Sequence, residues 1–403
     1  MATFKTPGVF IEEISTLPAS VAPVPTSIPG FVGYTKQAIY PDGSPVPSDT
    51  PVRITSLLEF EQIFGGAYVE TFTATLNDPQ NDPVITIDRT TPDDEQNFIL
   101  YYQMQMFYAN GGGTCYVVSA GGYTSSGIDS GDLGPSLNAL EQIDEVTLLV
   151  VPEAVALTTP GDRKAVYDLM LLQCQKMEDR FAILDVIHTP SASIQTDADN
   201  FRNNDVGADN LKYGASYYPG LNTTIEYNYN LGENDPPNPP ISVSTVTIND
   251  QRTSNPLNGL SLNDIASDGT TPDTSIYQGI ISELALQRVL LYPSASMAGT
   301  YARVDDSRGV WKAPANVGLS LVVNPQLLIN NEEQGNLNVD SVSGKSINAI
   351  RQFTGRGNLV WGARTLAGND NEWRYNNVRR LFLFAEESIK KVIRMKLCLG
   401  LQR

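Results

Sequence analysis

Apolar runs of strand length alternate with segments that repeat apolar residues at helical spacing along much of this chain. The strand-sized runs are residues 31–34, 115–118, 146–151 and 181–186, and the helical segments are residues 56–64, 96–110, 137–143 and 163–177. Runs that are apolar at every position indicate strands buried on both faces, with helices covering the sheet. The pattern therefore predicts an α/β body of mixed sheets flanked by helices over residues 30–190.

Residues 1–29 follow a different pattern and form a region of their own. An apolar run predicts a β-strand over residues 4–14, and its apolar side chains are Phe4, Val9, Phe10, Ile11 and Ile14. Residues 15–29 contain four prolines, which favour an extended, semi-rigid linker. A strand on such a linker leaves its backbone groups unpaired until it joins a sheet edge, so we expect this arm to pair with another chain.

Two polar stretches interrupt the ordered pattern. Residues 70–95 are rich in Thr, Asn, Asp and Pro, which indicates an inserted loop or hairpin. Residues 191–275 have the same character, with four prolines in residues 235–240, and they predict a surface insertion rich in loops and β-structure. Helical spacing returns at residues 276–290, and residues 276–403 are interpreted as a C-terminal domain.

Composition narrows the functional classes. The chain has 403 residues, and 45 Asp and Glu against 27 Lys and Arg give a formal net charge of −18, which argues against nucleic acid as a partner. His188 is the only histidine, so a zinc site or a Ser-His-Asp triad would depend on one ring. Three cysteines far apart in sequence are typical of a reducing compartment. With no secretory signal pattern and no apolar run of membrane-spanning length, we expect a soluble protein, made in the cytoplasm, without direct membrane insertion.

Three short motifs resemble ligand sites, but each lacks an essential part. Gly344-Lys345-Ser346 ends like a phosphate-binding loop, yet Val339 stands where that loop needs a glycine. The glycines at 111–113 precede a strand instead of opening a helix, which indicates a tight turn. The aspartates of residues 197–205 lack the alternating ligands and central glycine of a calcium loop. We therefore predict no catalytic, cofactor-binding or metal-binding residues.

Residues 356–403 reverse the charge balance of the chain. They contain ten Lys and Arg against four Asp and Glu, and residues 375–393 within them repeat apolar residues at helical spacing. The apolar stripe of this predicted helix consists of Tyr375, Val378, Phe382, Ala385, Ile389 and Val392. The opposite side carries Arg379, Arg380, Lys390, Lys391 and Arg394, with Leu383 and Phe384 among them. We expect the stripe to pack on the core and the basic side to face a partner, because apolar groups among like charges favour an interface.

Several sequence blocks resemble the sheath proteins of contractile phage tails and related contractile injection systems. The block Thr6-Pro7-Gly8-Val9-Phe10-Ile11-Glu12-Glu13 is similar to the opening of that family. More specific blocks follow in the C-terminal domain: Tyr292-Pro293-Ser294-Ala295, Gly309-Val310-Trp311-Lys312-Ala313-Pro314-Ala315-Asn316, Ile347-Asn348-Ala349-Ile350-Arg351, Val360-Trp361-Gly362-Ala363-Arg364-Thr365-Leu366 and Trp373-Arg374-Tyr375-Asn376-Asn377-Val378-Arg379-Arg380-Leu381. Their order and spacing agree with the family, and residues 1–190 agree with it in pattern.

The resemblance implies a structural role without cofactors. Members of this family stack as rings of six around a rigid inner tube, assemble in an extended state, and contract to drive the tube through a target envelope. Terminal arms link neighbouring subunits through a shared sheet. The implied partners are further copies of the chain, an inner tube protein, and baseplate and terminator or cap proteins, in a phage tail or an injection particle that can be released from the cell. The five basic residues of the C-terminal helix would then line the cylinder and hold an acidic tube.

The resemblance ends with the C-terminal helix. Residues 394–403 do not resemble the strand, helix and C-terminal arm with which the family continues, so we expect that arm to be missing, through truncation, frameshift or a specialised short form. A different class of function also stays open: an α/β nucleotide-binding protein or enzyme that uses the glycine-rich turns near Gly111 or Gly355. A surface adhesin built on residues 191–274 is a weaker third hypothesis.

Overall fold

The computed structural model describes residues 25–77, 84–90, 98–123, 127–230, 244–252, 257–266 and 269–400. The helices in these residues are α1 (Leu57–Phe64), α2 (Leu100–Ala109), α3 (Ser130–Ala139), α4 (Pro160–Met177), α5 (Ile194–Asn200), α6 (Thr274–Leu284), α7 (Ser294–Arg308), α8 (Asn331–Asn338) and α9 (Asn376–Gly400). The strands are β1 (Pro29–Thr35), β2 (Val52–Ile54), β3 (Phe72–Asn77), β4 (Val84–Arg89), β5 (Cys115–Gly122), β6 (Leu148–Val150), β7 (Phe181–Asp185), β8 (Gly214–Tyr218), β9 (Leu221–Glu226), β10 (Val246–Asp250), β11 (Arg288–Leu291), β12 (Val322–Pro325), β13 (Ile347–Phe353) and β14 (Gly357–Val360).

An eight-stranded sheet with the order β14-β13-β8-β7-β6-β1-β5-β2 forms the centre of the body. Its inner strands are parallel, and Phe31 of β1 lies opposite Val117 of β5 and Val150 of β6. β2 and β14 pair antiparallel at the two edges. Strands β1, β6, β7 and β8 are buried along their whole length, as expected for parallel strands covered by helices on both faces. The predicted mixed α/β architecture is confirmed.

Most elements of residues 30–190 lie where the apolar pattern predicts them. The helix predicted from Ser56 is α1, and its cap forms as expected, because the Glu59 N–H donates to Ser56 Oγ at 3.2 Å. Two boundaries differ. α3 begins at Ser130, where the Asp129 carboxylate accepts the Gly131 N–H at 2.8 Å; Gly131, Gly134 and Pro135 hid its first turns from the apolar pattern. α6 ends at Leu284, and residues 288–291 form β11, because a short alternating strand also fits part of a helical repeat.

The predicted surface insertion of residues 191–275 is wrong for its first part. β8 lies between β7 and β13 in the middle of the main sheet, and β9 pairs with β11 and β12 in a separate three-stranded sheet. Tyr217 and Tyr218 of β8 are completely buried. Their hydroxyl groups are hydrogen-bonded inside the protein, which allows a strand made of Gly, Ala, Ser and Tyr to occupy the core without an aliphatic run.

The remaining parts of the two polar stretches meet in one small unit, here called the satellite unit. It consists of the sheet β10-β3-β4, helix α6 and the turn Leu262–Ile265. The hairpin predicted for residues 70–95 is confirmed, with β3 antiparallel to β4, and β3 also pairs in parallel with β10. The satellite unit has its own apolar cluster, which includes Phe72, Leu76, Ile248, Ile276 and Ile280. Two segments that look polar and separate in sequence therefore fold together.

Candidate functional site

The site expected from the sequence has two parts, the N-terminal arm and the basic C-terminal helix. The arm residues Phe4, Val9, Phe10, Ile11 and Ile14 lie outside the described residues. The end of the proline-rich linker is described from Pro25 onward. It joins the body at Ile28, whose N–H donates to Thr147 Oγ1 at 2.8 Å and whose carbonyl accepts the Thr147 N–H at 2.9 Å.

Helix α9 packs on the body with the opposite orientation to the one predicted. Arg379 and Arg380 are only 3 % exposed and Leu383 is 4 % exposed, so these residues face inward. Three of the six residues of the predicted apolar stripe face outward, with exposed fractions of 45 % for Tyr375, 46 % for Phe382 and 57 % for Ile389, and Ile393 next along is 52 % exposed. Val378 and Ala385 are half-buried. The expectation that Arg379 and Arg380 form a partner-facing surface is therefore wrong. We call Tyr375, Phe382, Ile389 and Ile393 the exposed stripe.

Two aromatic rings stabilise the buried charge of Arg379 through cation–π contacts. Its guanidinium lies 4.6 Å from the centre of the Tyr213 ring and 4.7 Å from that of the Trp373 ring. The Glu386 carboxylate, further along α9, lies 3.9 Å from Nη1. A cation between two ring faces is stabilised by their quadrupoles. Arg379 therefore fixes α9 to the turn before β8 and to the loop that carries Trp373.

Arg380 joins three segments at one point, here called the Arg380 junction. Its guanidinium binds the Asp305 carboxylate of α7, with Nη1 and Oδ1 3.1 Å apart, and lies 4.5 Å from the centre of the Tyr301 ring. Nη2 also donates to the Thr26 carbonyl at 2.8 Å and to Ser27 Oγ at 3.0 Å. The Ser27 hydroxyl in turn donates to Asp305. The end of the linker, α7 and α9 are thus held by one buried ion pair.

The first residue of α9 adds a second buried anchor. Asn376 Nδ2 donates to the Tyr301 hydroxyl at 2.8 Å and to the Tyr217 hydroxyl at 3.2 Å, and the two hydroxyl groups are 2.7 Å apart. Burial raises the pKa of Tyr301 to about 12 and the pKa of Tyr217 well above its usual value. Both tyrosines therefore stay neutral and act as hydrogen-bonding links between β8, α7 and α9.

The other basic residues of the helix are less deeply placed. Lys390 is half-buried, and its Nζ lies 3.3 Å from the Glu178 carboxylate. Lys391 is half-buried at a cleft of about 450 Å³ between α9 and the end of the linker, whose walls include Pro25, Phe181 and Phe384. The side chain of Arg394 lies outside the described residues. Of the four predicted basic residues whose side chains the structure describes, two are buried and two are half-buried, so these four do not form one exposed surface.

The sequence offered a signal for the two buried arginines, although the stripe analysis missed it. Nearby aromatic residues and the acidic pair at 305–306 could have suggested buried partners. The outward position of the exposed stripe could not be read from spacing, because spacing gives the angle between two faces but not which face packs on the body.

The motifs that resembled ligand sites have structural explanations. Lys345 Nζ donates to the carbonyls of Arg202 and Val206, the latter at 2.7 Å, at a π-helical turn over residues 201–205. Burial lowers the pKa of Lys345, and the carbonyls it binds keep it from a phosphate role. Gly111 has a φ of 101° at the end of α2, and Gly355 has a φ of 73° in the β13–β14 turn. Both glycines serve backbone conformations that other residues rarely adopt.

The single histidine and the aspartates of residues 197–205 also have internal partners. His188 Nδ1 lies 2.6 Å from Asp197 Oδ2, and the Tyr218 hydroxyl donates to the same oxygen at 2.7 Å. Asp205 instead binds Arg163 at 2.9 Å. Within the described part of the chain, no group of three or more His, Cys, Asp or Glu side chains could hold a metal ion.

Two buried carboxylates attach a helix pair to the main sheet, and sequence reasoning missed both. Glu153, just after β6, accepts the Tyr34 N–H at 2.6 Å and the Leu100 N–H at the start of α2 at 3.1 Å. Asp185, at the end of β7, accepts the Ser294 N–H at the start of α7 at 2.8 Å. Burial raises the pKa of Glu153 to about 8 and the pKa of Asp185 to about 7. Both carboxylates satisfy backbone donors at helix starts, so their first role is structural.

Comparison with known proteins identifies a set of similar structures. No family model and no curated protein matches the chain. Among solved structures, the PVC sheath complex of an extracellular contractile injection system in its contracted state is 26 % identical, covers 98 % of this chain and 75 % of that chain, and has a TM-score of 0.56. The contracted helical sheath of the anti-feeding prophage is 26 % identical, with coverages of 97 % and 77 % and a TM-score of 0.55. A chain of the contracted anti-feeding prophage baseplate, 23 % identical with a TM-score of 0.59, shares the fold over 98 % of this chain.

These matches include nearly every element of the fold and come from sheath assemblies of contractile particles. They belong to the class of protein that the sequence blocks between residues 292 and 381 resemble, and they share the mixed α/β body of this chain. In the described residues, no helix has the length and apolar character needed to cross a membrane. Over nearly its whole length, the chain is therefore similar to the sheath proteins of contractile injection systems.

Proposed function

We propose that this chain is the sheath subunit of a contractile injection particle, that it polymerises as stacked rings of six around an inner tube, and that contraction of the polymer drives the tube through a target envelope. The observation that carries this proposal is the likeness to contracted sheaths over 97–98 % of the chain. A structural, non-enzymatic role is consistent with it, since the motifs that resembled ligand sites bind the protein's own backbone and side chains.

The polymer would be held together by the N-terminal arm, residues 4–14, added as a strand to the sheet of a neighbouring copy. The Arg380 junction supports this proposal because it fixes the end of the linker firmly to the body. An arm that transmits load between copies requires such an anchor. Further partners would be the baseplate and a terminator, in a particle assembled in the cell and released from it.

The structure changes the expectation of which surface of α9 meets the tube. Arg379 and Arg380 are engaged inside the body, so we propose that the exposed stripe contacts the tube, with Lys390 and Lys391 beside it and Arg394 further along the helix. Four large apolar side chains on one helix face are typical of an interface. The contact would then depend less on salt than five free cations would imply, because apolar burial is not screened.

Self-assembly is tested first with the purified full-length chain. Hollow cylinders in negative-stain images, or sedimentation far above that of a 43.9 kDa monomer, are the expected result. A stable monomer that gains thermal stability on adding a nucleotide would instead favour the nucleotide-binding alternative.

The tube contact is tested with Phe382→Glu/Ile389→Glu, which places two charges on the exposed stripe. Co-assembly with the inner tube protein should be lost, while the melting temperature of the subunit stays unchanged. The control is Leu58→Glu/Leu172→Glu, two residues of α1 and α4 that are 62 % and 50 % exposed. Equal loss in both variants, or no loss in either, would remove the exposed stripe from the tube contact.

A further inference from the structure

An exposed tryptophan projects from the loop that follows α7. Trp311 is 64 % exposed, and its ring lies over Gly309, where a Cβ atom would come within 2.3 Å of the indole. The Trp311 carbonyl accepts the side-chain N–H of Asn377 at 2.8 Å, which fixes the loop to the start of α9. Two cations flank the ring in sequence, Arg308 at the end of α7 and Lys312. We call Arg308, Trp311 and Lys312 the Trp311 knob.

The charges of the Trp311 knob are not neutralised within the subunit. In the part of the chain that the structure describes, Arg308 and Lys312 have no ion-pair partner, although the exposed Asp306 is close in sequence. Both cations line a surface cleft of about 690 Å³ together with Arg303, which adds a third positive charge. Large aromatic rings and arginines are the side chains most enriched at the energetic centres of protein interfaces. The Trp311 knob therefore has the composition of an interface, and its charge favours an acidic partner.

A cavity of complementary chemistry lies where β1 and β5 end. It has a volume of about 860 Å³, and its walls include Asp49, Asp132, Pro47 and Pro135. Both carboxylates are exposed, and they accept hydrogen bonds from neutral hydroxyl groups at 2.6 and 2.8 Å. Among the described residues neither carboxylate has an ion-pair partner. This cavity, here called the acidic hollow, offers apolar walls to a large ring and two negative charges to cations beside that ring.

The Trp311 knob and the acidic hollow lie at opposite ends of the parallel strands. α7 begins beside the carboxyl end of β7, where the Ser294 N–H donates to Asp185. It ends at the amino end of the sheet, where Asp305 in its last turn accepts the hydroxyl of Ser27, two residues before β1. The acidic hollow is lined by Thr35, the last residue of β1, and by the second half of β5. At about 3.3 Å per residue, the seven residues of β1 place the two roughly 20 Å apart, so a copy cannot fill its own hollow.

We propose that the Trp311 knob of one copy enters the acidic hollow of a neighbouring copy, where Arg308 and Lys312 face Asp49 and Asp132. Complementary surfaces at the two ends of one molecule produce a head-to-tail contact, in which each copy binds one neighbour with its knob and another with its hollow. Such a contact repeats along an open helical polymer. The proposal rests on the proposed function, since it needs many copies in one assembly, and it names two surfaces through which those copies meet.

The charges are tested through the critical concentration for assembly of the full-length chain, measured by sedimentation at low salt. Arg308→Glu/Lys312→Glu should raise the critical concentration about tenfold or more, because like charges then meet across the interface. The neutral variant Arg308→Gln/Lys312→Gln should give a smaller rise. The control Lys164→Glu/Lys176→Glu makes the same change in net charge at two lysines of α4 whose side chains are 41 % and 61 % exposed, and it should assemble normally. The melting temperature of each variant separates a loss of assembly from a loss of folding.

The aromatic ring is tested in the same assay. Trp311→Ala should raise the critical concentration, whereas Leu286→Ala, which removes a side chain that is 69 % exposed elsewhere on the chain, should not. The surface that receives the ring is identified by placing the photoreactive residue p-benzoyl-phenylalanine at position 311. In the assembled polymer it should cross-link to residues 46–49, 119–122 or 131–135 of another copy, which line the acidic hollow.

Each result decides for or against the contact. Unchanged assembly of the charge-reversed and Trp311→Ala variants would overturn the proposal while leaving the sheath function in place, and failure of the unmodified chain to assemble would instead count against the sheath function. Cross-links from position 311 to residues outside the acidic hollow would exclude that hollow as the receiving surface. An equal defect in the α4 control would mean that net charge, and not the Trp311 knob, governs assembly.

Discussion

Arg380 and Asp305 form an ion pair in which both side chains are almost fully shielded from water, at 3 % and 4 % exposure. The pair also binds the backbone and hydroxyl groups of the linker end through Thr26 and Ser27. Removing one partner of a buried ion pair leaves the other charge without compensation, which costs about 3–5 kcal/mol. We therefore expect Arg380→Ala to lower the free energy of unfolding by about that amount in urea titrations.

Lys390 provides the matched control for this prediction. It lies on the same helix and pairs with Glu178, but both side chains are partly exposed. Exposed ion pairs contribute about 0–1 kcal/mol, so Lys390→Ala should change the unfolding free energy by no more than that. If Arg380→Ala proves as mild as Lys390→Ala, the Arg380 junction does not stabilise the body.

The stability of the protein should fall as the pH rises from about 5 to about 8. Burial raises the pKa of Glu153 to about 8, above the value near 4.5 of an unfolded chain. The folded state therefore holds a proton that the unfolded state has released. The stabilisation from this group is complete below pH 4.5 and is lost as the pH rises through 8.

Glu153→Gln should flatten this pH dependence, because glutamine keeps the shape and an acceptor oxygen but does not ionise. The measurement is the unfolding free energy at several pH values for the unmodified chain and the variant. Glu332→Gln, at an exposed position on α8, serves as the control and should leave the slope unchanged. Asp185, whose pKa burial raises to about 7, should leave a residual slope in the variant. An identical slope in Glu153→Gln and the unmodified chain would contradict the assignment.

Lys345 should matter for stability and not for ligand binding. Lys345→Met removes the donor for two backbone carbonyls at the π-helical turn, and each lost hydrogen bond from a charged group costs roughly 1.5–3 kcal/mol. We expect a clear loss of unfolding free energy. Millimolar ATP or GTP should leave the melting temperature of the unmodified chain where it was. A nucleotide-dependent rise that disappears in Lys345→Met would restore the phosphate-loop interpretation.

The satellite unit should be removable only as a whole. We propose that it lies on the outside of the assembled cylinder, since most of it comes from polar segments and a projecting unit inside would obstruct the tube. Replacing residues 70–90 and 229–286 together with short Gly-Ser linkers should leave a folded body that still assembles. Replacing only residues 231–261 removes β10 and exposes Phe72 and Leu76, so that variant should aggregate. Loss of assembly in a well-folded double replacement would argue against the outside location.

The fold was predictable from sequence where burial and apolar character coincide. Strands β5, β6 and β7 are apolar at nearly every buried position, and β1 carries Phe31, Val32 and Tyr34, so the runs of all four strands stand out. β8 has the same environment, but it meets the requirement with Tyr217 and Tyr218, whose hydroxyl groups find partners that only the folded chain supplies. A polar-looking sequence thus concealed a central strand.

The candidate site was predictable in place but not in orientation. The periodicity of residues 375–393 predicted the helix and its two faces, whereas the choice of the buried face depended on distant residues. Tyr213, Tyr301 and Asp305 make it favourable to bury the two arginines of α9, and all three precede that helix by a long stretch of sequence. Local patterning assigns apolar residues to the core by default, and here tertiary partners override that assignment.

The parallel pairing of β3 with β10 sets an order on how the chain can fold. Phe72 lies opposite Val246, so the chain must be synthesised as far as Val246 before β3, which pairs with β4 on one side, gains β10 as its neighbour on the other side. Within that interval β5, β6, β7 and β8 leave the ribosome and can complete much of the main sheet, while the β3–β4 hairpin waits with Phe72, Ala74 and Leu76 uncovered. Contacts this far apart in sequence form late and leave apolar surface open to association. The nascent protein therefore carries an uncovered hairpin through much of its translation, and its demand for chaperones should originate there and not in the body.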